Sequence, residues 1–423
     1  MGKRGWTAFV CACMLAGITG CGDKETEPVY PASQAAQDYE EPEQKVFLPK
    51  EALSAGINNF AFQMYDELGQ QENIFFSPYS LCSALSLLDV GADSETKEEL
   101  EELLGITDLD AWNREIKDYL EKQWTDDTFV ITANAIWMDG EKEFAPNIEA
   151  DFLKPAGYYY HCELFEADFR NNPADAINQI NGWTEKNTRG MIPEIVNTIP
   201  NNTVMALLNA VYFEGKWETP FQKENSFEEI FHGTQEDSPV EMMHQYRENY
   251  AYVESGEIKG IALPYMGENV VMKVFLPTDE GDDIIALFSA LSHDEREALL
   301  DSLDDAEAKK ISRLAMPKFS MDRSMEGLME LLQDMGMQAA FREDADFDKI
   351  GLGLYVSQIV HKAKIEVDEE GSRAAAATAV MMNDCAALIE KETIEFVVDK
   401  PFVFVLQDTE TGIILFMGRV NNL

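Results

Sequence analysis

Apolar and polar positions along the chain change period several times, and each change marks an element. Asn59 to Leu68 repeats at helical spacing. Ser77-Pro78 reads as a helix start, with a serine at the N-cap and proline at the first helical position. Leu81, Ala84, Leu85 and Leu88 then give that helix a buried stripe. A charged helix is predicted over Ser94 to Leu104, stopped by Gly105. Phe129 to Met138 and Thr203 to Phe213 read as strands, the second so apolar that it belongs at the centre of a sheet. Val270 to Leu276 and Phe402 to Gln407 are further strands. Gly281 to Lys309 is helical and acidic, and Leu314 to Pro317 returns to extended chain. Strands and helices mix without strict alternation, which predicts an α+β class.

One stretch fits neither pattern. Val367 to Met382 reads V-D-E-E-G-S-R-A-A-A-A-T-A-V-M-M. As a strand, it places Ser372, Ala374, Ala376, Thr378, Val380 and Met382 on one face and Arg373, Ala375, Ala377, Ala379 and Met381 on the other. As a helix it would exploit the high helix propensity of alanine, but so short a run is marginal alone in water. The side chains are too small and inert for chemistry.

Composition narrows the partners. The formal net charge is −45. Such a surface repels phosphate backbones and sulfated polyanions, so no nucleic acid partner is expected. An apolar fraction of 45% suits a chain with a real core. Lys3 and Arg4 followed by the apolar run Trp6 to Ile18 form a targeting segment. Ile18-Thr19-Gly20-Cys21 looks like a bacterial lipobox, which predicts a signal over residues 1–20 and a lipid on Cys21. The alternatives are a plain secretory signal cut near Gly20, or a weak membrane anchor, for which the run is short. Residues 21–49 are acidic and proline-containing and read as a flexible tether, outside the cell and close to the membrane. Membrane contact is expected only through the lipid anchor.

Cys82, Cys162 and Cys385 remain in the mature chain, at spacings that suggest neither a disulfide framework nor a metal site. Cys82, inside an apolar helix, is expected as a buried core thiol. The five histidines (161, 232, 244, 293 and 361) stand in no H-E-x-x-H, and G-x-S-x-G and the P-loop are absent too. No metal, no cofactor and no enzymatic activity are expected.

Seven motifs besides the small-residue stretch follow in order: N-I-F-F-S-P-Y-S (73–80), L-L-N-A-V-Y-F-E-G-K-W (207–217), L-P-Y-M-G (263–267), M-P-K-F (316–319), V-S-Q-I-V-H-K-A (356–363), D-K-P-F-V-F (399–404) and F-M-G-R-V-N (416–421). Together they resemble the serpins, a family of serine protease inhibitors, over residues 50–423. The resemblance implies three β-sheets, eight or nine helices and an exposed reactive-centre loop over about 369–395. It also settles the helix-or-strand question in favour of a strand held in reserve. In the family a protease cuts a bait bond on the loop, and the cut loop inserts as a new strand in the central sheet. The acylated protease is carried along and its active site is distorted, which traps a covalent acyl complex.

The resemblance assigns the hinge to Glu369, Glu370, Gly371, Ser372, Arg373, Ala374, Ala375, Ala376, Ala377 and Thr378. Inward positions must be small enough to enter a closing sheet, and Ser372, Ala374, Ala376 and Thr378 are. Arg373 replaces a commoner acidic residue, on the outward face. A nearly fixed count from the hinge glycine puts the reactive bond at Cys385–Ala386, which suits elastase- or subtilisin-like proteases. The alternative is Asp384–Cys385, as in a viral branch whose targets include aspartate-specific proteases. Ser77, Ser80, Asn209 and His361 match a hydrogen-bonded shutter beneath the main sheet. Trp217 matches a tryptophan in the path of the opening loop, where core packing is the plainer role. A monomer is expected, with the target protease as partner. The competing expectations are a non-inhibitory member acting as a binding module, or an inhibitor of an aspartate-specific or cysteine protease.

Overall fold

The computed structural model describes residues 27–43, 46–49, 51–69, 73–267, 270–372 and 394–423. The signal, Cys21, hinge residues 373–378 and both candidate reactive bonds lie outside the described residues. The first half of the chain runs α1 (Ala32–Asp38), α2 (Ala52–Glu67), β1 (Ile74–Phe76), α3 (Pro78–Gly91), α4 (Ser94–Leu104), α5 (Leu109–Leu120), β2 (Thr128–Asp139), α6 (Lys154–Tyr160), β3 (Glu163–Ala167), α7 (Pro173–Asn187) and β4 (Met205–Lys216). Next come β5 (Ser226–His232), β6 (Asp237–Gln245), β7 (Glu248–Ser255), β8 (Ile258–Pro264), β9 (Val270–Pro277), α8 (Ile284–Ala290) and α9 (His293–Asp304). The last third holds β10 (Ala308–Pro317), β11 (Phe319–Ser324), α10 (Leu328–Asp334), β12 (Val356–Val367), β13 (Gly371–Ser372), β14 (Ile394–Val397), β15 (Phe402–Asp408) and β16 (Ile414–Val420).

The α+β class is as expected, with ten α-helices among the described residues. Hydrogen bonding joins the strands into a ten-stranded and a six-stranded sheet. The larger one divides at β10, whose first half pairs with β7 and whose second half pairs with β6. Counted on either side of that division, there are three sheets.

Ser77 caps α3, its side chain accepting the Ser80 N–H, with Pro78 at the first helical position. The predicted stripe on this helix understates its burial, because all fourteen residues are buried. The helix is clamped between β4, β16 and the helices α2, α4 and α6. Its serines therefore bond internally: Ser86 Oγ donates to Cys82 O and accepts from Trp112 Nε1.

The six-stranded sheet matters most. Its order is β11-β12-β13-β4-β2-β3. Beyond the two-residue β13, β12 and β4 pair directly and in parallel, from Val356↔Met205 to Lys364↔Tyr212. The apolar run predicted as a central strand is β4, paired with β2 over its whole length.

Part of the stretch expected as a flexible tether, residues 21–49, carries regular structure. Residues 32–38 form α1, which packs on α6 with Ala35 fully buried. The fit depends on Gly157, where a Cβ would overlap the Ala35 Cβ. Composition suggested disorder because the few small apolar side chains involved carry little periodic signal.

Candidate functional site

The Val367 to Ser372 segment turns back on itself at the top of the sheet. Asp368 Oδ1 accepts the Glu370 and Gly371 N–H groups at 2.8 and 3.1 Å, and Asp368 N–H donates to Gly371 O at 2.8 Å. Burial raises the Asp368 carboxyl above its usual range, and those two N–H groups oppose the rise. Gly371 has φ of 153°, and a Cβ there would strike the Gly215 carbonyl. Only glycine brings the chain this close to β4. Ser372 is then paired antiparallel with Val367 of β12 and with Gly215 of β4. It is fully buried, and its hydroxyl bonds the Tyr265 hydroxyl at 2.7 Å. The chain has thus begun a strand between two strands that pair with each other everywhere below.

Side chains hold this start in place. Trp217 Nε1 donates to Asp368 O at 3.0 Å, and the Trp217 ring stacks on Tyr265 at 4.5 Å. Trp217 is buried, as its core role requires, and it also holds the turn that leads into β13. Glu369 pairs with Lys318 at 2.7 Å. Burial opposes the Glu369 charge, but Lys318 and Ser226 hold the carboxyl below its usual range. Lys223 reaches Glu370 at 2.7 Å.

Further down, Ser77, Ser80, Asn209 and His361 come together in one hydrogen-bonded cluster. Ser77 N–H donates to His361 Nε2 at 3.2 Å, which fixes the proton of the neutral ring on Nδ1. Nδ1 donates to Asn209 Oδ1 at 2.5 Å. Asn209 Nδ2 donates to Ser80 Oγ at 2.7 Å and to Asn134 Oδ1 at 2.6 Å. Ser77 Oγ donates to Leu415 O at 2.6 Å, so Ser77 and His361 do not form a nucleophile–base pair. Asn209 on β4 and His361 on β12 are register partners, so this bond crosses the seam a new strand would open. Asn134 on β2 and Ser83 on α3 extend the cluster, through a bond of 3.3 Å from Asn134 Nδ2 to Ser83 Oγ. Sequence reading missed both, along with Asp368, Tyr265, Lys318 and Lys223. Tyr265 had a signal in its place in L-P-Y-M-G, Lys318 in M-P-K-F, and Asp368 in the stretch that leads into the hinge.

Complete burial pushes His361 down to about 3. Because the folded pKa lies below the ordinary 6.5, the neutral ring contributes stability that is full above pH 6.5. That contribution is lost as pH falls toward 3. Asp89 acts in the opposite sense, since burial raises it to about 6 against the pull of Lys97. Comparing the protein with His361→Asn separates the two. Stability measured by urea unfolding should fall between pH 6.5 and 4.5 by about 2–3 kcal/mol more in the parent than in the variant. Parallel pH profiles would rule out the assigned protonation.

The thiols of Cys82 and Cys162 are free, buried and shifted upward by burial, which makes them core groups.

A family profile described as "Serpin (serine protease inhibitor)" matches residues 55–423. An uncharacterized serpin-like protein of Thermococcus kodakarensis is 35% identical over 373 residues, covering 86% of this chain and 84% of its own. Leukocyte elastase inhibitor A of Mus musculus is 31% identical, covering 88% and 99%. Among solved structures, the native state of the thermophilic serpin tengpin superposes with a TM-score of 0.81 at 28% identity, covering 94% and 100%. Human thyroxine-binding globulin complexed with thyroxine gives 0.77 at 27% identity, covering 88% and 99%.

Proposed function

The chain belongs to the serpin family, and from that premise we propose that it is an irreversible suicide-substrate inhibitor of serine proteases. The observation that carries this reading is Ser372, already paired between β12 and β4. A strand that continues from Ser372 in the same direction has one path, along the β12–β4 seam. The next residues on the inward face, Ala374, Ala376 and Thr378, are small enough to take it.

The chemistry belongs to the protease. Its serine oxygen attacks the carbonyl carbon of Cys385, the Cys385–Ala386 bond breaks, and the new amine of Ala386 leaves with a proton. An ester joins the two proteins. Insertion then carries that ester away before water can hydrolyse it. Cys385 suits the shallow apolar pockets of elastase- or subtilisin-like enzymes, and the relatedness to a leukocyte elastase inhibitor supports that class. Cys21 would carry the lipid that holds the molecule, as a monomer, on the outer side of a bacterial membrane.

A human thyroxine-binding globulin shares the fold, so inhibition needs its own test. Incubation with an elastase- and a subtilisin-type protease should give a denaturant-stable complex of summed mass. The released C-terminal peptide should begin at Ala386 by mass spectrometry. Cleavage with no complex would sink the inhibitor reading, and a peptide beginning at Cys385 would move the reactive bond to Asp384–Cys385.

A further inference from the structure

The residues just before the globular fold make a run of contacts that the trap does not use. Val29 N–H donates to Leu164 O of β3 at 2.8 Å. After α1, Tyr39 sits against the rings of Tyr158 and Tyr159, with centroids at 4.9 and 5.5 Å. Glu41 then receives Arg114 Nε at 2.5 Å and the Tyr158 hydroxyl at 3.1 Å. These contacts fix where the arm leaves the domain. Leu164 pairs with Ile136, and Ile136 with Leu207 of β4, whereas the hinge residue Ser372 pairs with Gly215. Positions 207 and 215 differ by eight residues, on the order of 27 Å along the strand at ~3.3 Å each. The arm therefore departs near the end of the sheet opposite the hinge.

We propose that the docked arm is an orienting device, which stands the domain on a lipid surface with its hinge end pointing away. The proposal rests on the lipid anchor at Cys21 proposed above. Positions 21 and 29 differ by eight residues, so the chain between the lipid and the docked arm can span at most ~28 Å at ~3.5 Å per residue. A domain of this size is about 50 Å across, too large to turn over on such a leash. Without docking, the leash would run to Ala52 and reach about 100 Å, and the domain would tumble. Charge does not substitute for the arm, because a net −45 repels an anionic bilayer instead of adhering to it. The same geometry fixes the destination of a captured protease. Insertion along β4 runs from Gly215 toward Met205, so capture carries the protease from the outer end to the membrane side.

The test uses the full lipidated chain in phosphatidylcholine–phosphatidylglycerol vesicles that contain an acceptor lipid. Cys385→Ser leaves only buried thiols in the mature domain, and a donor dye is placed at Glu141→Cys, at the arm end, or at Glu224→Cys, beside the hinge. Energy transfer to the bilayer should be several-fold greater from 141 than from 224. Ala35→Asp, which puts a charge into the buried contact with α6, should bring the two positions together. Arg114→Glu, which repels Glu41, should do the same. Equal transfer from both positions in the parent, with vesicle flotation intact, overturns the orientation alone. Absence of flotation overturns the anchor, and the orientation with it.

Discussion

Cutting the loop of the soluble domain with a protease that escapes the trap raises the unfolding midpoint by about 15 °C in scanning calorimetry. In the uncut protein β12 and β4 satisfy each other below Ser372. A strand inserted between them replaces one parallel ladder by two antiparallel ones. Roughly ten additional backbone hydrogen bonds form, each contributing about 1 kcal/mol net. For a domain of ~370 residues the unfolding entropy is about 0.8 kcal/mol per degree, so about 10 kcal/mol corresponds to a shift somewhat above 12 °C. Burial of the alanine methyl groups adds to it. An unchanged midpoint after complete cleavage would show that the seam does not accept the loop.

Ser372→Arg should abolish trapping while leaving cleavage intact. Ser372 is fully buried, and the Tyr265 hydroxyl is its partner. A guanidinium there replaces a hydroxyl whose partner is another hydroxyl, and leaving such a charge unpaired costs several kcal/mol. The uncut variant would release β13 from the seam to keep the charge in water, so in the proposed trap insertion must bury it anew while the ester hydrolyses, and each 1.36 kcal/mol added to that barrier slows insertion tenfold. Complex formation should therefore drop by a factor of about 100 or more, with the protease recovered active and the chain cut at the same bond. Ser372→Ala, small and uncharged, should still trap. A denaturant-stable complex from the arginine variant at parental yield would refute the role of this position.

The sequence carried the parts of this machine that are local. Ser77-Pro78 announced a cap, the apolar run ending at Phe213 announced a central strand, and the small residues after Gly371 announced something that must fit between strands. The parts that depend on register were silent. Asn134 belongs to the cluster only because β2 places it opposite Asn209, and no spacing along the chain encodes that pairing. The hold of Trp217 on the turn that leads into β13 likewise arises from a backbone carbonyl, which every residue has. The helix within the expected tether was silent for a different reason. Its apolar docking contacts are one alanine, one glycine and a tyrosine, too little apolar surface to stand out against seven acids.

The two-residue strand β13 also bears on how fast the molecule responds. Joining a free chain end to a distant groove involves a search, and the first contact is the slow one because it orders the chain before any ladder rewards it. Here that first contact exists before any protease arrives. Ser372 has its register, its hydroxyl partner and both neighbouring strands. In the proposed trap, a cut chain would only have to propagate from this nucleus, one residue pair after another, with the direction already chosen. A trap that must outrun a single water molecule gains most from having its slowest step completed during folding.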